Sequence, residues 1–126
     1  MKSYLTYAPD REIFPVASLY GDGTSALVLV DEDQQRVVTA STNHKQIVVP
    51  WNQLAIKDYS ENEGTLKTLV EAKIVEVKTT YHDKHEYWSI DQAYTVEFPI
   101  VEIIDKTVIR DLKRLRKQYK VDGATI

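Results

Sequence analysis

Between residues 60 and 81 the apolar side chains change from helical to alternating spacing, and that switch restricts the chain to a fold mixing helix with sheet. Ser60 followed three residues later by Glu63 has the form of a capping box, in which the serine hydroxyl accepts from the Glu63 amide and the carboxylate reaches back. The pattern predicts a helix that starts at Glu61 and ends at about residue 72. Glu61 and Glu63 in its first turn oppose the positive end of the helix dipole, and Leu66, Leu69 and Val70 supply the apolar stripe. From Ile74 onward Val75, Val77, Thr79 and Tyr81 alternate with Glu76, Lys78 and Thr80, the period of a strand.

Upstream, residues 25–30 and 36–41 are β-rich runs around the polar loop 31–35, a hairpin signal. Leu5 with Tyr7, and residues 14–20, read as two short strands broken at Pro9-Asp10, the second ended by the turn Gly21-Asp22-Gly23. Residues 47–49 and 54–56 are extended pieces on either side of Pro50, which cannot donate to a ladder. Downstream, residues 74–81 and 86–90 predict a hairpin around 82–85, and 93–104 a further strand in which Pro99 predicts an edge or a bulge.

Asp105 then caps a second helix, about 106–120, with Val108, Ile109, Leu112, Leu115 and Tyr119 on one side. The expected architecture is a single α+β domain over residues 1–126: a twisted, mainly antiparallel sheet with two helices packed on it.

With 126 residues and 43% hydrophobic content, the chain can bury its own core without staples. It has no cysteine, which excludes disulfides, thiolate nucleophiles and cysteine zinc sites and fits a reducing, cytoplasmic setting. No run of apolar residues is long enough to span a membrane, and the N-terminus lacks the apolar run of a signal peptide. The net charge of −3 conceals a split: residues 1–104 carry 9 Lys and Arg against 16 Asp and Glu, whereas residues 105–126 carry 7 against 3. An acidic body with a basic tail can orient the protein toward a charged partner.

Catalytic patterns are not found in the sequence. No Gly-x-Ser-x-Gly elbow occurs, and Gly21-Asp22-Gly23 lacks the third glycine and following helix of a dinucleotide loop. The chain is therefore read as non-enzymatic, with no cofactor. His82, Asp83, His85 and Glu86 cluster, but imidazoles on a strand hairpin need not converge and Lys84 repels a cation, so the segment reads as a solvated turn with no metal. His44, in the polar run 42–45, reads as exposed.

Two surfaces remain for partners. Lys106, Arg110, Lys113 and Lys117 fall on one face of the second helix, a spacing suited to phosphates in a nucleic-acid-binding accessory protein; the competing reading is a solvated outer face. Tyr81, Tyr87, Trp88 and Tyr94 lie close in sequence, and Trp51 follows Pro50. Strand alternation sends about half of such a cluster into the core and leaves the rest for a partner or an unpaired base.

Residues 27–33, the segment Ile56-Lys57-Asp58-Tyr59-Ser60-Glu61-Asn62-Glu63-Gly64, residues 69–75 and residues 96–101 together resemble a group of small uncharacterised proteins from phages, plasmids and other mobile elements. The likeness covers residues 20–104. Residues 41–46 depart from the hydrophobic strand end expected of the group. The resemblance implies a mobile-element origin and no assigned chemistry. Such proteins often bind and block a host defence protein, a CRISPR nuclease or a restriction enzyme. On that implication the chain is expected to act stoichiometrically, with Asp31, Glu32, Asp33, Asp58, Glu61 and Glu63, or the aromatic hairpin of Tyr87 and Trp88, occupying a partner's basic groove.

Overall fold

The computed structural model describes residues 1–44, 46–82, 87–90, 92–94 and 96–120, with the backbone alone at 87–89 and 92–94. In chain order the strands are β1 (Phe14–Leu19), β2 (Ser25–Val30), β3 (Arg36–Thr39), β4 (Ser41–Thr42), β5 (Gln53–Ile56), β6 (Val75–His82), β7 (Tyr87–Ser89), β8 (Gln92–Tyr94) and β9 (Glu97–Ile103). The helices are α1 (Thr65–Glu71) and α2 (Lys106–Gln118), with a 3-10 turn at Ser60–Asn62 before α1. The fold is α+β. It contains a three-stranded antiparallel sheet β1-β2-β3, a four-stranded antiparallel sheet β4-β5-β9-β6, and the β7-β8 hairpin.

The β2-β3 hairpin forms where the β-rich runs predict it. The Asp31 carboxylate closes its loop by accepting from the amides of Asp33 and Gln35, and Gln34 takes a left-handed conformation at φ 63°. After β3 the chain turns a corner at buried Ala40, whose amide donates to the Leu27 carbonyl while its own carbonyl accepts from the Lys57 amide. Ser41 completes the corner: its Oγ accepts from the Leu27 amide and shares a hydrogen bond with the Tyr20 hydroxyl. One continuous run thus serves both sheets. Leu27 and Leu29 from one, Leu54, Ile56, Val101 and Ile103 from the other, Leu69 of α1 and Leu112 of α2 make a single core, each fully buried side chain contributing about 1.5–3 kcal/mol.

Several expectations are corrected. The α-helix starts at Thr65, not Glu61, because Gly64, at φ +100°, breaks the helical path, and Ser60 makes no capping bond. Asp58 replaces it: Oδ1 accepts from the amides of Gly64 and Leu66 at 3.1 and 3.0 Å. β6 pairs with β9, from Val75↔Ile103 to His82↔Glu97, whereas Tyr87–Ser89 of the strand expected over 86–90 form β7 and pair with β8. Non-local burial of Val75 and Val101 outweighs the nearer hairpin partner. Pro99 sits inside a strand flanked on both sides, but pairing with β5 stops at Ile100, so Pro99 borders β6 alone and its missing N–H interrupts no β5 ladder.

Near the N-terminus Leu5 and Tyr7 form no strand; the only pairing there is the bridge Lys2↔Glu12. Residues 47–49 are likewise not a strand. α2 matches its predicted span to within two residues, and the Asp105 carboxylate accepts from the Val108 amide at 2.9 Å. No helix among the described residues is long and apolar enough to cross a membrane.

Candidate functional site

A cleft of about 370 Å³ opens where the β1-β2 turn, β4, the segment before β5 and the C-terminal half of α2 meet. Its construction begins at Pro50, whose carbonyl accepts from the Gln53 amide and turns the chain into β5. The turn presents Trp51, whose carbonyl accepts from Ser25 Oγ at 2.5 Å, tying the cleft to the start of β2. Lys113 Nζ and the Arg116 guanidinium each lie 5.8 Å from the Trp51 ring centroid, within cation–π range.

Arg116 is the unexpected member. It is 7% exposed although the helix offers solvent on its other side. Its position continues the Val108–Leu112 column of the apolar stripe at i+4, so the spacing that places Leu112 in the core also turns Arg116 inward. Burying a charge costs several kcal/mol unless its surroundings compensate, and the Trp51 face is one compensation. Asp22 also lines the cleft. Oδ1 accepts from the Thr24 amide and hydroxyl, Oδ2 from Asn43 Nδ2, and these bonds, Thr24's hydroxyl foremost, hold its carboxyl below the usual carboxylate range. Burial, partly offset by the Ser41 hydrogen bond, raises the Tyr20 phenol.

His44, read from the sequence as exposed, is half-buried, its ring 5.6 Å from Tyr81 and 5.3 Å from Phe98. That packing lies over the second apolar cluster, Ala55, Phe98 and Ile100, on the outer face of the four-stranded sheet.

The acidic candidates do not assemble into one surface. Asp31 closes the hairpin loop and pairs with Arg11 at 3.1 Å; Asp58 caps α1; Glu61 pairs with Lys57 at 2.6 Å. Glu32, Asp33 and Glu63 are exposed, the first two at the hairpin tip and the third beside α1, at the other end of β3, where Asn62 donates to the Thr39 carbonyl. The side chains of Tyr87 and Trp88 lie outside the described residues. By contrast Lys106, Arg110, Lys113 and Lys117 are all exposed along α2. Asp111 engages Arg110 at 3.2 Å and also Arg114.

Of the histidine cluster, His82 Nδ1 lies 3.1 Å from a Glu97 carboxylate oxygen, whereas Asp83, His85 and Glu86 lie outside the described residues. No group of three metal-capable side chains occurs among the described residues.

The sequence reading passed over Asp22, Asn43 and Arg116 as cleft residues. For Arg116 the signal was its place in the apolar column; for the other two there was none, since residues 22 and 43 meet only through the fold.

Fold and cleft define an α+β protein with a polar, part-aromatic recess beside a cationic helix. Neither family models nor curated proteins nor solved structures give a match to this chain.

Proposed function

We propose that the protein is a non-enzymatic binding module of the cytoplasm whose recognition face is the cationic flank of α2 with Trp51, and that its partner is a single-stranded nucleic acid. The observation that carries this reading is the exposure of Lys106, Arg110, Lys113 and Lys117 along one flank, with Trp51 beside Lys113. Cations that track phosphates next to an aromatic ring are the chemistry of strand binding.

The net negative charge does not oppose it. Ser25, bonded to Trp51, and Val30, before the acidic tip, lie at opposite ends of a six-residue strand, a span of roughly 17 Å at ~3.4 Å per residue. Across the roughly 8 Å Debye length of physiological salt, the hairpin acids are largely screened from the Trp51 end of α2. Fluorescence anisotropy with single-stranded RNA and DNA tests the reading. Binding falls steeply with salt and is lost in the triple variant Arg110→Glu, Lys113→Glu, Lys117→Glu; no binding by the wild type at low salt eliminates it.

A second reading follows from the mobile-element resemblance and from the exposed carboxylates of Glu32 and Asp33 at the hairpin tip: a stoichiometric inhibitor that occupies the basic groove of a host defence nuclease, a Cas or restriction enzyme. Slight molar excess then stops cleavage in vitro. Unimpaired cleavage across a panel of such nucleases removes it.

A further inference from the structure

We infer that the outer edge of β1 is a self-association surface, through which two copies of the chain pair antiparallel about a two-fold axis at Ser18. Leu19 of each copy is then seated in the recess between β1 and α2 of the other. The inference is independent of the nucleic-acid reading.

Among the described residues the two larger sheets end in β1, β3, β4 and β6, and the last three carry features that blunt an edge. β4 has two residues. β3 has four, starts at Arg36, shifts register against β2 and has its Thr39 carbonyl taken by Asn62 Nδ2. β6 is longer, but its register against β9 shifts between Val77 and Thr79, and exposed Lys78 lies at the shift. β1 differs. It makes six consecutive pairs with β2, carries no charged side chain, and leaves Phe14 and Val16 40% and 38% exposed. A regular, uncharged edge of this kind is a template for another strand.

The alternation of the ladder decides which backbone groups that edge offers. The Tyr20 amide donates to the Thr24 carbonyl, so Ser18, Val16 and Phe14, in step with Tyr20, bond toward β2, and Pro15, Ala17 and Leu19 face away. Pro15 has no amide to give, which leaves those of Ala17 and Leu19. Neither has a partner among the described residues although Ala17 is 9% exposed, and buried backbone groups are ordinarily paired. A second β1 laid antiparallel with Ser18 opposite Ser18 sets Ala17 against Leu19 and Leu19 against Ala17. Both amides and both carbonyls of each copy are then bonded, and Pro15 falls outside the exchange.

A recess of about 520 Å³ lies along this edge, lined by Ala17, Leu19 and Gly21 on the β1 side and by Leu115 and Tyr119 of α2. Ala17 is part of the core and Leu19 packs against it, so both point to the helix side of β1. Opposed residues share a face, so Leu19 of the second copy, set against Ala17, enters the recess beside Leu115 and Tyr119. Tyr119, 64% exposed in the single chain, gains cover. Because β1 carries no charge, two copies meet without like-charge repulsion, whereas a strand with a charged residue at that position would bring an unpaired charge into an apolar recess. That favours a second copy of this strand as the occupant.

Sedimentation equilibrium of the full chain up to about 1 mM tests the inference. A dimer is expected with a dissociation constant on the order of 100 µM, since one strand pair and a small recess fall short of the roughly 1,200 Å² of stable interfaces. Ser18→Glu and Ser18→Lys each put like charges across the axis and are expected to be monomers by themselves, with melting curves to establish that both fold. Mixed in equal amounts, they form the heterodimer.

The absence of cysteine from the chain allows a second readout. Across the axis Ser18 faces its copy in a non-hydrogen-bonded pair, with Cα atoms about 4.5 Å apart, a separation a disulfide spans. Ser18→Cys is therefore expected to cross-link between copies on mild oxidation, and Val16→Cys far less. A wild type that stays monomeric over the whole concentration range overturns the inference. So does a dimer that both charge variants retain, or equal cross-linking at positions 16 and 18.

Discussion

Gly64 meets the backbone of Tyr4: a Cβ at residue 64 would overlap the Tyr4 carbonyl oxygen, and φ there is +100°. The contact belongs to a lacing in which Thr68 Oγ1 accepts from the Tyr4 amide and donates to the Gly64 carbonyl, while the Thr6 amide donates to the Glu63 carbonyl. Gly64→Ala therefore combines backbone strain with displacement of the N-terminal segment that delivers Leu5 to the core. It is expected to cost about 2 kcal/mol or more in chemical denaturation. An unchanged midpoint would show that the N-terminal segment yields without cost.

The cap of α1 is decided by a pair of substitutions. Asp58→Ala removes the acceptor of the Gly64 and Leu66 amides and should lower stability by about 1 kcal/mol. Ser60→Ala, which removes no cap, should change it by less than about 0.5 kcal/mol. The reverse ranking in paired thermal melts would restore the capping box read from sequence.

Glu61 reports acid sensitivity at an exposed position. The hydrogen bond from Lys57 is foremost in lowering its pKa from 4.5 to about 2. A depressed folded-state pKa means that the stabilisation is present above the unfolded value and is lost as pH falls from 4.5 toward about 2. Carboxylate NMR should place the Glu61 midpoint near the lower value and, in Lys57→Met, move it up toward the ordinary one. A midpoint that ignores Lys57 would refute the pairing.

Asp111 restrains the cationic flank, since its carboxylate engages both Arg110 and Arg114. Asp111→Asn frees the two guanidiniums and removes a negative charge from the helix. At low salt it should tighten single-stranded nucleic-acid binding roughly two- to fivefold, the scale of an exposed ion pair worth up to ~1 kcal/mol. Weaker binding in anisotropy titrations would mean that Asp111 orients the arginines productively rather than masking them.

Elements specified by neighbours in sequence were legible in it. The β2-β3 hairpin follows from two β-rich runs around an Asp-led loop, and α2 from Asp105 and an apolar stripe, because turns and caps are satisfied within a few residues. The cationic flank was legible for the same reason: exposure of Lys106, Arg110, Lys113 and Lys117 follows from helical spacing alone.

What only the tertiary structure decided are the relations that cross the chain. β6 chose β9 over its nearer neighbour, Asp58 capped a helix whose own serine stood closer to the predicted start, and Ala40 joined two sheets through Leu27 and Lys57. Arg116 entered a cleft that it lines together with residues 22 and 43. In each case the local pattern admits more than one partner. The choice falls to whichever arrangement buries the most apolar surface while leaving each buried backbone group bonded, a property of the assembled core and of no single segment.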